Sequence, residues 1–176
     1  MNFKRSLLVI TFLAVVVGGF FLLRFLPPNH QQMQNSSIAD KVFALQLKNY
    51  SGSVISLSDF KGKSLVINSW AAWCPFCRKE LVDFAAAQKE FADKVTIIAI
   101  DRAEARDVAK KYTDEIGVTE GMIFLLDPSD SFYQSTGGFS MPETIFMDKN
   151  GFIREHKRGP MDLEEMRQKI QQLVSQ

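Results

Sequence analysis

Residues 64–91 constrain the fold more than any other part of the chain. Ser64-Leu65-Val66-Ile67-Asn68-Ser69-Trp70 is an apolar run bounded by Gly62 on one side and by the cysteines on the other. It reads as a central strand buried on both faces. From Pro75 to Phe91 the apolar positions Leu81, Phe84, Ala85 and Phe91 recur at helical spacing, with Lys79, Asp83, Lys89 and Glu90 around the rest of the wheel. A proline in the first turn fits a helix start. A buried strand running straight into a helix belongs to an α/β architecture.

The flanking segments extend that reading. Val42-Phe43-Ala44-Leu45-Gln46-Leu47 and Val54-Ile55-Ser56-Leu57 flank the turn residues Asn49 to Gly52 and predict an N-terminal hairpin. Val95 to Ile100 predicts another buried strand, Glu104 to Tyr112 a helix, and Met122 to Leu126 a short third run. Their alternation implies parallel pairing with right-handed crossovers. The C-terminal end changes rhythm. Thr144 to Met147 and Phe152 to His156 flank Asp148-Lys149-Asn150-Gly151, a hairpin with glycine where a positive φ is wanted, and Asp162 is placed to cap a closing helix.

The 176 residues suffice for one domain, and 46% of them are hydrophobic, with 15 phenylalanines, which argues against a disordered chain. A formal charge of +1 offers no footprint for nucleic acid. The average hides an asymmetry: residues 1–37 hold Lys4, Arg5 and Arg24 and no acid. No side chain from Leu7 to Leu23 is charged, and residues 7–26 as a helix rise ~30 Å, enough to span a bilayer. Lys4 and Arg5 keep residues 1–6 in the cytoplasm, so the rest is expected on the outer face of the cell membrane as a single-pass protein. A cleaved secretory signal is the competing reading, with Ser37-Ile38-Ala39 as a cleavage site. No cysteine lies directly after the segment, so a lipoprotein anchor is not expected. Residues 27–40, proline-initiated and polar, read as a tether to a domain over 41–176.

The constellation with chemical content is Trp73-Cys74-Pro75-Phe76-Cys77, at the joint of strand and helix. The positive end of a helix dipole and its unpaired amides stabilise thiolate over thiol, which makes Cys74 the better nucleophile. Two intervening residues let Cys77, one turn inside the helix, reach Cys74 as the resolving thiol. The competing readings are a static bridge and two inert buried cysteines.

The run Leu65 to Cys77, with Gly138-Phe139-Ser140-Met141-Pro142-Glu143-Thr144 and the Asp-x-x-Gly of Asp148 to Gly151, resembles the membrane-anchored thioredoxin-like oxidoreductases of the ResA, TlpA and CcmG (DsbE) type. The resemblance covers about residues 38–175. It implies a three-layer α/β/α thioredoxin fold with an N-terminal β-hairpin extension and a central insertion, preceded by one transmembrane helix. It also implies thiol-disulfide exchange with no cofactor, on clients such as apocytochrome c or a copper-centre assembly factor, with a membrane thiol electron donor.

Three positions carry over with it. Met141-Pro142 matches the family's cis-proline, which faces the disulfide and leaves the preceding backbone free to pair with substrate; otherwise Pro142 is an ordinary loop proline. Glu80 falls one turn after Cys77, where this subgroup has an acid near the active site; otherwise it is a solvated first-turn glutamate. Asn68 occupies the place where cytoplasmic thioredoxins keep a buried acid, a departure that shifts proton handling to Glu80. Trp73 and Phe76, flanking the thiols around Pro75, are candidates for an apolar docking surface, while Trp70 reads as core.

The rival function is a copper(I) or zinc chaperone using the same two thiolates. Only His30 and His156 remain to complete such a site, one on the tether and one on a predicted strand, so no metal is expected. Arg78 after the second cysteine is incompatible with haem attachment, and Ala71-Ala72-Trp73 lacks a peroxidatic threonine.

Overall fold

The computed structural model describes residues 30–175; the expected cytoplasmic N-terminus (1–6), the expected span (7–26) and the first tether residues lie outside the described residues. Among the described residues no helix is long and apolar enough to cross a membrane.

Strand β3 (Leu65–Trp70) is buried at all six positions. It has that environment because β4 (Thr96–Arg102) pairs with it in parallel and β6 (Glu143–Met147) antiparallel. Beyond β4 lies β5 (Ile123–Asp127), parallel, and beyond β6 lies β7 (Ile153–Arg158), antiparallel. The hairpin of β1 (Gln46–Asn49) and β2 (Val54–Ser56) joins through β1 onto β5, giving a seven-stranded mixed sheet of order β2-β1-β5-β4-β3-β6-β7.

Alternation along the strands sends successive side chains to opposite faces. On one face Val66, Ile97 and Phe146 meet Phe84 and Ala87 of α2 (Cys77–Phe91) and Met166, Ile170 and Leu173 of α5 (Leu163–Val174). Beside them Trp70, Ala99 and Phe124 meet Leu81 and Ala109, the latter on α3 (Arg106–Glu115). On the other face Ile67, Ile98, Ile100, Leu125 and Ile145 meet Ala39 and Val42 of α1 (His30–Phe43) and Phe132 of α4 (Ser131–Thr136). Each of the larger aliphatic and phenylalanine side chains among them contributes about 1.5–3 kcal/mol relative to exposure. Helices on both faces of a mixed sheet give the thioredoxin-like α/β fold that the resemblance implies, with α3 and β5 forming a further unit between β4 and α4.

Two elements differ from the sequence expectation. The tether expected over 27–40 is helical from His30, and Val42-Phe43, expected to begin a strand, form the last turn of α1. The reason is a short stripe in which Ile38, Ala39, Val42 and Phe43 share one helix face and meet the core; the strand starts only at Gln46. Helix α4 was not expected. Its six residues carry little periodicity, and its first turn is held instead by Asp127, whose Oδ2 accepts from the Phe132 amide at 2.7 Å. The closing hairpin and helix follow the sequence: Gly151 has φ 83° and Asp162 caps α5 by accepting from the Glu165 amide at 2.8 Å.

Candidate active site

The chain leaves β3 at Trp70, beside the end of the parallel β4 and the start of the antiparallel β6, and turns before entering α2. The Cys74 amide donates to the Ala71 carbonyl at 3.1 Å and the Cys77 amide to the Cys74 carbonyl at 3.3 Å. Helix α2 therefore begins at Cys77 itself, and Pro75 lies in the preceding turn rather than in the helix's first turn. The difference from the sequence expectation is local: Pro75 and Phe76 are used to close a turn, so Cys77 is the first helical residue, not one turn inside. Cys74 and Cys77 are joined as a disulfide with Cα atoms 5.4 Å apart.

Both cysteines are buried, while Trp73 is 61% and Phe76 58% exposed beside them. Pro75 is exposed as well. The peptide Met141-Pro142 is cis, and Met141 packs on the cluster that contains Cys74, Cys77, Trp70 and Leu81. Pro142 is buried; its carbonyl accepts from the Gly159 amide at 3.0 Å, which ties the loop to the end of β7. The expected site residues Cys74, Cys77 and Met141 thus meet in one place, with Trp73, Pro75 and Phe76 at its surface and Pro142 beneath.

Glu80 is not a solvated glutamate. It is 1% exposed, its Oε1 accepts from the Met161 amide at 3.1 Å and its Oε2 from Asn68 Nδ2 at 3.1 Å. Burial pushes its carboxyl up to about 7, against the pull of those two donors and of Lys157, with Asp83 adding to the rise. Asn68 in turn donates to Thr144 Oγ1 at 2.9 Å, and its own Oδ1 is buried without a partner. A carboxyl with that pKa one helical turn from Cys77 exists in both protonation states near neutrality, as a group that handles protons must.

Sequence reasoning missed three further features. Phe139, 76% exposed, projects from the loop before the cis-proline with the Arg158 guanidinium 5.2 Å from its ring centre. That loop includes Gly138 at φ 58°, a left-handed conformation that side chains rarely adopt, where an added Cβ would lie 3.0 Å from the Tyr133 ring. Behind Pro142, Glu143 is buried with Oε1 2.6 Å from His156 Nε2 and 3.4 Å from Arg158 Nε. Third, Glu104, read only as the start of a helix, lies before α3 and accepts from the Ala72 amide at 2.6 Å. The signal for it was its place after a buried strand next to β3, at the same edge of the sheet as the cysteines.

For the metal reading, Cys74 and Cys77 are the soft ligands present, and His156 is engaged by Glu143. Among the described residues no group of three His, Cys, Asp or Glu side chains is arranged to hold an ion.

The Redoxin family model matches residues 31–173. The thioredoxin-like protein YneN of Bacillus subtilis is 34% identical over 125 residues, 70% of this chain and 73% of that protein. The thiol-disulfide oxidoreductase ResA of Bacillus thuringiensis subsp. konkukian is 24% identical over 177 residues, 99% of each. Among solved structures, a secreted disulfide oxidoreductase of Mycobacterium tuberculosis, described as homologous to E. coli DsbE, superposes with a TM-score of 0.69 at 18% identity, over 76% of this chain and 99% of that one.

Proposed function

The chain belongs to the Redoxin family and is a thiol-disulfide oxidoreductase, and from that premise we propose that it works as a reductase of client disulfides on the outer side of a cell membrane, held by residues 7–26. The observation that carries the exchange chemistry is the Cys74–Cys77 disulfide at the end of β3 with Met141 of the cis-proline loop packed against it. In the reducing direction the Cys74 thiolate attacks a client disulfide. A bond forms between Cys74 and one client sulfur, and the other leaves as a thiolate that takes up a proton. The Cys77 thiolate then attacks Cys74 Sγ, which releases the second client thiol and regenerates the disulfide. Two electrons have passed from the protein to the client, and a membrane thiol donor must return them.

The likeness to relatives named ResA and DsbE supports clients that carry disulfides, and the client we propose is the one that the sequence resemblance implies, an apocytochrome c or a copper-centre assembly factor. The positive residues Lys4 and Arg5 before an uncharged run support the outward placement of the domain. The deciding experiment is the reduction potential of the Cys74/Cys77 couple in defined thiol-disulfide buffers. A value below about −220 mV supports a reductase, and one near −120 mV overturns that direction in favour of disulfide introduction.

A further inference from the structure

The turn that carries Cys74 is held from below by a group outside the CxxC pair and Glu80. Glu104 Oε2 accepts from the Ala72 amide, two residues before Cys74, at 2.6 Å. Glu104 is brought there by Ala103, a non-glycine residue in the left-handed region at φ 56°, whose amide is fixed to the Asp127 carbonyl at 3.1 Å. Backbone of that kind is retained where the surroundings over-determine it, commonly at functional sites. Asp101 lies in register with Trp70, the last residue of β3, and its Oδ1 accepts from the Glu104 amide at 3.2 Å. Asp101 is completely buried, no cation among the described residues pairs with it, and its Oδ2 has no donor directed at it, with the Glu104 side chain as its hydrogen-bonding neighbour. Two facing carboxylates lack a proton donor, and one proton supplies it.

We propose that Asp101 and Glu104 form a buried carboxyl pair that holds one proton between them and, through the bond from Glu104 to the Ala72 amide, positions Cys74 and sets the charge around it.

Among the described residues neither carboxyl has a Lys or Arg within ion-pair distance. The groups facing the pair are Tyr50 from the β1–β2 turn, Asp127 from the end of β5 and Tyr112 from α3, with Arg78 of α2 beside Tyr112 and Arg106 bound to the Tyr50 carbonyl. Burial, and then the hydrogen bond and charge of Glu104, push the Asp101 carboxyl up to about 8. Asp101 therefore keeps its proton over the neutral range and gives it up only at alkaline pH. Below that transition Asp101 donates to Glu104, whose Oε2 grips the Ala72 amide. Above it the two charges repel, the grip loosens and the Cys74 thiolate is disfavoured. Asp101 and Glu104 are positioning residues, since neither is in contact with the client sulfur.

The test uses the full chain in detergent micelles. The rate of Cys74 alkylation in the reduced protein is followed from pH 5 to 10 by peptide mass for wild type, Asp101→Asn and Glu104→Gln. Wild type should show an inflection near pH 8 in addition to that of the thiol. Asp101→Asn should abolish it, and Glu104→Gln, which removes the hydrogen bond and charge that help to raise Asp101, should move it to lower pH. Coincident profiles, or variants slowed by one factor at every pH, overturn the proposal, the second because it is what a purely structural role produces. A readout that needs no variant is the carboxyl carbon resonances of the oxidised wild type. Two coupled steps with one near 8 support the pair, and full ionisation of both groups by pH 6 overturns it. The inference rests on exchange at Cys74 and Cys77 and not on its direction, so an oxidising potential overturns the reductase reading while leaving these profiles as expected.

Discussion

Asn68 on β3 and Glu80 on α2 are joined across the helix–sheet interface, Nδ2 donating to Oε2 at 3.1 Å. An amide beside a buried carboxyl has a definite electrostatic meaning. It stabilises the ionised form without adding a second acid, and leaves Glu80 to take up or give up the proton alone. Burial outweighs that donor and the Met161 amide, so the carboxyl titrates near neutrality rather than near 4.5.

Glu80→Gln should therefore flatten the dependence of stability on pH. The folded chain holds a proton on Glu80 between about 4.5 and about 7 that the unfolded chain has released. The contribution is fully present below pH 4.5 and is lost as pH rises through 7. Wild type should lose up to about 3 kcal/mol relative to Glu80→Gln between pH 4.5 and 8, the ceiling set by that change in proton affinity. Urea unfolding of the oxidised protein across that range measures it, and parallel curves for the two proteins would exclude Glu80 as the titrating group.

Asn68→Asp replaces the donor by a second acid. Thr144 Oγ1 and Glu80 Oε2 both lose the Asn68 hydrogen bond, and two carboxyls then face each other with one proton to share at most. A destabilisation of about 2–4 kcal/mol is expected at pH 8, shrinking at pH 5 where a proton bridges the pair. The same unfolding measurement decides it: a penalty independent of pH would mean that only packing was lost.

Much of the fold was legible because its central elements carry strong patterns. The run from Leu65 to Trp70 is apolar enough to require burial on both faces, and the spacing of Leu81 and Phe84 identifies the face of α2 that meets the sheet. Helix α1 was not legible, since only its last six residues carry the stripe that packs on the core, and Val42-Phe43 among them read as the start of a strand. In the site, the cysteines stood out by type and spacing. Glu104 was marked only by its place after β4, because its role depends on a left-handed Ala103 and on a partner 32 residues away in sequence, neither of which leaves a local pattern. The Glu143, His156 and Arg158 cluster is of the same kind, created by pairing β6 with β7.

The exposed aromatics separate docking from chemistry. Trp73 and Phe76 are more than half exposed, so truncating either to Ala should change stability by less than about 0.5 kcal/mol. If they form the docking surface, each covers client surface on binding, and a loss of about 1–2 kcal/mol corresponds to a 5- to 30-fold lower rate with a protein disulfide. Exchange with a small dithiol, too small to span that surface, should change less than about threefold. Equal losses with protein and small-molecule partners would assign these side chains to tuning the thiols instead.

Cys77→Ser tests the order of events at the disulfide. Cys74 lies in the turn between exposed Trp73 and exposed Pro75, whereas Cys77 opens α2 and is completely buried. Both cysteines are buried, Cys74 at 1% and Cys77 at 0%, so it is their placement, Cys74 in the surface turn and Cys77 in the helix, that makes Cys74 the sulfur a client reaches and Cys77 the one that reaches only Cys74. With serine at 77 the mixed disulfide forms but has no internal nucleophile, so client should accumulate on Cys74 as an adduct released by dithiothreitol. With Cys74→Ser the remaining thiol is shielded, and adduct formation should fall at least tenfold along with client reduction. The check is non-reducing electrophoresis with a disulfide-bonded client, and equal trapping by both variants would mean that the two sulfurs are interchangeable and the assigned order is wrong.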